Sequence, residues 1–127
     1  MIPRRSRAIG ADRGSITLVA AGVMALACVI CIATVDVSRA ELARARAQTA
    51  ADAAALAAAQ EIAVPSGETP ADAARTFAER NGASLSSCQC PSGAAEAVVE
   101  VDLPVSFILF GSDRTVTARA RAVIGLP

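Results

Sequence analysis

Residues 16–35 read ITLVAAGVMALACVICIATV, twenty positions without a charged side chain. As an α-helix, rising about 1.5 Å per residue, the stretch is about 30 Å long, the thickness of a bilayer's hydrocarbon core. Arg13 precedes it and Asp36 follows it. A charge at the centre of a membrane helix costs roughly 2.5–3.5 kcal/mol on insertion, so an uncharged run of this length reads as a transmembrane helix. Residues 1–15 carry four arginines against one aspartate, a local charge of +3, while residues 36–127 carry eight arginines against eleven acids, −3. The positive-inside rule then sets residues 1–15 in the cytoplasm as a basic tail and everything after the span outside. The competing reading is a cleaved secretory signal, with A-x-A sites downstream such as Ala43-Arg44-Ala45. A signal core is usually about 7–15 residues, shorter than this span, which favours a retained anchor.

Beyond the span the helical signal continues. Residues 37–63 contain no glycine or proline and consist mostly of strong helix formers. Asp36 with Arg39, and Glu41 with Arg44, are spaced as i,i+3 ion pairs. One helix over about residues 16–63 is expected. Its outer part, residues 36–63, forms an extracytoplasmic stalk. Leu42, Thr49, Leu56 and Ala63 recur every seven residues, with Ala45 and Ala59 at the intervening positions. Such a seam of small and apolar residues lets another helix approach closely, and a plain solvated stalk is the alternative.

Val64-Pro65-Ser66-Gly67 breaks the helix, and Thr69-Pro70-Ala71-Asp72 restarts one with a threonine cap and an N1 proline. This second helix is expected over about 70–81, stopped by Asn81-Gly82, with Ala74, Phe77 and Ala78 buried. From residue 95 the period changes to two. Ala97, Val99, Val101 and Leu103 alternate with polar positions, as do Val116, Ala118, Ala120 and Ala122. An antiparallel β-hairpin over about 96–103 and 115–123 follows, with Glu100 and Asp102 facing Arg119 and Arg121, and an apolar patch at residues 105–110 between the strands. The fold class is therefore α+β, and residues 64–127 form a small extracytoplasmic unit too slight to stand without the long helix or a partner.

Composition removes most chemistry. The 127-residue chain has no histidine, lysine, tyrosine or tryptophan, and its formal net charge is 0. Ser–His, Cys–His and Ser–Lys nucleophilic pairs are unavailable, and no glycine-rich phosphate loop is present. Glu100 and Asp102 are spaced as a solvated strand face. No catalytic residue, cofactor site or metal site is assigned, and no small-molecule substrate or nucleic acid is expected as a partner. Cys88-Gln89-Cys90 lies outside the membrane in an oxidising setting. It is read as a disulfide, whether within the chain or to another chain, with free thiols as the alternative. Cys28 and Cys31 read as small packing residues of the span.

The order Asp12-Arg13-Gly14-Ser15, an apolar span, Asp36 and then Gln48-Thr49-Ala50-Ala51-Asp52-Ala53-Ala54-Ala55-Leu56-Ala57-Ala58-Ala59 resembles the N-terminal domain of TadE/TadG-like proteins over about residues 12–60. These are pilin-like components of Flp (Tad) pilus assembly and related secretion systems. The short total length, with Asn81-Gly82-Ala83 followed by cysteine and alternating strands, is similar to small actinobacterial TadE-like proteins encoded beside a secretion ATPase. The resemblance implies a non-enzymatic, single-pass pseudopilin-like membrane protein with other pilin-like or Tad assembly-platform proteins as partners. It also implies prepilin-type processing between Gly14 and Ser15. Pilins often carry glutamate at the fifth mature position, which is Val19 here. That departure points to an accessory subunit retained in the membrane. The alternative function is a secreted binding or effector protein cleaved near residues 31–47.

Overall fold

The computed structural model describes residues 11–109 and 111–125. Residues 1–10 of the basic tail, Phe110 of the apolar patch and the last two residues lie outside the described residues. Five elements follow in chain order: helix α1 (Ala11–Ala63), helix α2 (Pro70–Arg80), and strands β1 (Ser84–Gln89), β2 (Glu96–Ser106) and β3 (Asp113–Val123). This is the α+β architecture read from the sequence. Helix α1 begins at Ala11 rather than near residue 16, because the helical backbone continues through Gly14 ahead of the apolar run.

The chain divides into two units, the first ending at Val35 and the second beginning at Asp36. In the first, every large apolar side chain of residues 16–35 is exposed, from Leu18 at 76 % to Ile32 at 37 %. The stretch is long and apolar enough to cross a membrane by length and composition.

The second unit is built on alanine. Ala43, Ala47, Ala50, Ala51, Ala54, Ala55, Ala58 and Ala59 of α1 join Ala74 and Ala78 of α2 and the inward faces of β2 and β3 in one buried cluster. The short side chains bring helix backbone close to neighbouring elements, so packing rests on close approach rather than on large apolar areas. Val99 and Val101 are the largest fully buried side chains.

Helix α2 starts as its sequence dictates. The Thr69 hydroxyl accepts the Asp72 N–H at 3.1 Å and donates to the Asp72 carboxylate at 2.6 Å, with Pro70 at the first helical position. It ends in a Schellman turn. The Gly82 N–H donates to the Glu79 carbonyl and the Ala83 N–H to the Ala78 carbonyl, with Gly82 at φ 77° where a Cβ would be strained. The expected buried stripe needs one correction. Ala73, Ala74 and Ala78 are buried, but Phe77 stays 40 % exposed and carries the Arg80 guanidinium over its ring at 5.2 Å.

The expected hairpin is the larger part of a three-stranded antiparallel sheet in the order β1-β2-β3. Strands β2 and β3 pair from Glu96↔Val123 to Ser106↔Asp113, with Ala97, Val99, Val101 and Leu103 on the core face. Glu100 stands opposite Arg119 as read from the sequence, but Asp102 stands opposite Thr117 and accepts its hydroxyl at 2.7 Å. Arg121 pairs instead with Glu96, because the register sets it beside Val98, one diagonal step from Glu96. Strand β1 was not expected. Its residues, SLSSCQ, are polar and small, and a bulge between Leu85 and Ser87 sets its half-buried positions, Leu85 and Cys88, three apart instead of two.

Candidate association surfaces

Helix α1 of the second unit has two opposite faces. Its buried alanines recur at i, i+4 and i+7, as in Ala43, Ala47, Ala50, Ala54 and Ala58. The heptad seam lies on the other side. Leu42 and Ala51, nine positions apart, are separated by about 180° around the axis. Leu42 is 51 % exposed and Leu56 64 %, and Ala45 and Thr49 are exposed with them. Thr49 returns its hydroxyl to the Ala45 carbonyl at 2.9 Å, which keeps that face low and free of an outward donor. Ala59 departs from the row and belongs to the core cluster. The fold thus uses one face of the helix and leaves Leu42, Ala45, Thr49 and Leu56 in solvent.

Between these faces Gln48 bridges the stalk to the sheet. Its side-chain amide donates to Asp52 at 3.0 Å, one turn along, and to the Arg119 carbonyl of β3 at 3.4 Å. Glu41 and Arg44 form the expected i,i+3 pair at 3.0 Å on the exposed surface.

Asp36 does something the sequence did not announce. It is 3 % exposed and is the buried charged residue among the described residues. One carboxylate oxygen accepts the Ile108 N–H at 3.0 Å and the other accepts the Leu109 N–H at 2.8 Å. The expected partner, Arg39, contributes only its nearby charge. The two backbone N–H groups and then Arg39 favour the ionised form and hold the carboxyl below its ordinary value of 3.8. Two charge-assisted bonds on one side chain fix the β2–β3 loop to the helix. Nothing in local spacing could have revealed this, since the partners are over seventy positions away.

The remaining site residues are placed as follows. Gly14 and Ser15 lie in the first two turns of α1, exposed, with open space around the Gly14 Cα. Cys88 and Cys90 are joined at the end of the edge strand β1, with Cα atoms 5.4 Å apart. Cys28 and Cys31 are unpaired and exposed on the span. Among the described residues no group of three or more cysteines and acids is gathered to hold a metal ion.

Comparison with known proteins places one part of this chain. No curated protein and no solved structure matches it. Residues 14–61, which comprise the span and the alanine-rich stalk and stop short of α2 and the sheet, match the family described as putative Flp pilus-assembly TadE/G-like.

Proposed function

We propose that the chain is a non-enzymatic, pseudopilin-like component of a Flp/Tad-type pilus assembly or secretion apparatus, anchored by residues 16–35. The basic end lies in the cytoplasm, residues 36–63 continue the anchor outward, and residues 64–127 complete a small extracytoplasmic unit. The observation that carries this reading is that the family match covers both the exposed apolar span and the stalk. The stalk adds the mechanism. Its alanine face is consumed by the chain's own α2 and sheet, so Leu42, Ala45, Thr49 and Leu56 remain for a helix of another pilin-like or assembly-platform protein. Small residues permit close backbone approach there. The Cys88–Cys90 link in an extracytoplasmic unit fits an oxidising compartment. Processing between Gly14 and Ser15 leaves the span intact.

Deleting the chain from its native cell tests the proposal. The expected result is loss of assembled Flp-type pili or of Tad-dependent secretion, restored by the full chain and not by a chain lacking residues 16–35. Unchanged pili and secretion in the deletion strain would overturn it. A photo-crosslinker at position 42 or 56 should capture a second helical membrane protein, and one at the buried position 54 should not.

A further inference from the structure

The β2–β3 loop presents two neighbouring large apolar side chains, Ile108 at 54 % exposure and Leu109 at 45 %. Asp36 holds the backbone N–H groups of both. Asp36 is also the residue that follows Val35, the last position of the uncharged span, so their Cα atoms lie about 3.8 Å apart. From the tether to this residue and the exposed apolar side chains we propose that Ile108 and Leu109 insert into the lipid surface. The inference rests on the reading of residues 16–35 as a membrane helix.

Three observations favour lipid as the occupant. First, the tether ties the loop to the one residue of the second unit that is covalently continuous with the span. Second, the hydrogen bonds use the backbone donors of Ile108 and Leu109 internally. Ile108 and Leu109 then offer apolar side chains without bringing unsatisfied N–H groups to the acyl boundary. Third, the chain has neither tryptophan nor tyrosine to form an interfacial belt. A pinned apolar loop supplies that function, fixing the depth at which the span leaves the bilayer. The loop's shoulder carries Asp113 and Arg114, both exposed and of opposite charge, so the apolar contact rather than attraction to anionic lipid sets the binding.

The absence of tryptophan makes the test direct. Full-length single-tryptophan variants Leu109→Trp, Leu26→Trp and Val123→Trp are reconstituted in phosphatidylcholine vesicles whose acyl chains carry bromine at a shallow or a deep position. The indole at 109 should be blue-shifted and quenched more by shallow than by deep bromine. The indole at 26, mid-span, should show the reverse, and that at 123 should stay unquenched. Adding Asp36→Asn to the Leu109→Trp chain should reduce the shallow quenching, because the neutral amide offers one acceptor in place of two. An unquenched indole at 109 beside a quenched one at 26 overturns the inference and leaves the membrane reading standing; such a loop would be covered by protein. An unquenched indole at 26 removes the membrane reading, and the inference with it. Ile108→Trp repeats the measurement should Leu109→Trp fail to fold.

Discussion

Helix α1 joins two stretches that treat their side chains in opposite ways, the first without a charge and the second with seven charged residues. Residues 16–35 carry valine, isoleucine, leucine and methionine, all of them exposed; residues 36–63 carry mainly alanine, much of it fully buried. The difference is one of size. Large side chains on a helix covered by none of the described residues match a hydrocarbon solvent, which needs apolar area and no close approach. Methyl side chains on a helix covered by a sheet and a second helix match a core where backbones meet closely.

The largest effect should come from a charge placed on each stretch in turn. Leu26 and Leu56 are almost equally exposed, at 61 % and 64 %. Leu26→Arg should cost roughly 2.5–3.5 kcal/mol of membrane insertion. Leu56→Arg, a surface change, should move stability by less than about 0.5 kcal/mol. Membrane fractionation and thermal melting in detergent read the two. Equal effects would erase the distinction between the stretches.

Enlarging an alanine comes next. Ala54 is fully buried, and Ala54→Leu should destabilise the second unit by about 1–3 kcal/mol through overpacking. Ala25 is exposed on the span, and Ala25→Leu should leave both insertion and melting unchanged. The check is denaturant unfolding followed by circular dichroism, which would show whether the outer helix depends on small side chains.

The junction between the stretches should respond to acid. Because the folded carboxyl of Asp36 titrates below its ordinary 3.8, its contribution is fully present above that value. It is lost as pH falls through the lower, folded value. The amide proton resonances of Ile108 and Leu109 should hold their positions at pH 5 and move upfield together only below about pH 4. Movement near neutral pH would contradict the clamp. At the small end, Arg44→Ala removes an exposed pair with Glu41 and should cost about 0.3 kcal/mol in melting, near the limit of measurement.

The sequence disclosed those features whose cause is local or periodic. The span follows from an uncharged run, α2 from its threonine cap and Asn-Gly stop, and β2 and β3 from strict alternation. Strand β1 escaped because its hydrogen-bonding role needs no apolar rhythm and its bulge destroys what rhythm Leu85 and Cys88 have. Phe77 departs from its expected burial: aromatic character argues for the core, while α2 buries only its alanines and leaves the ring exposed under Arg80. The heptad row was visible, but only the fold shows that most of it faces away from the chain's own core. The Asp36 clamp was illegible for a plainer reason: its partners are backbone groups of a loop far along the chain, and backbone donors leave no mark in a residue pattern.

The central claim is that residues 16–35 remain part of the working protein as its membrane anchor. Intact-mass measurement of the natural product from the membrane fraction tests it most directly. The account predicts a mass that includes the whole span, with an N-terminus at Ser15 or upstream of it. A product beginning between residues 31 and 47, recovered outside the membrane, would contradict it.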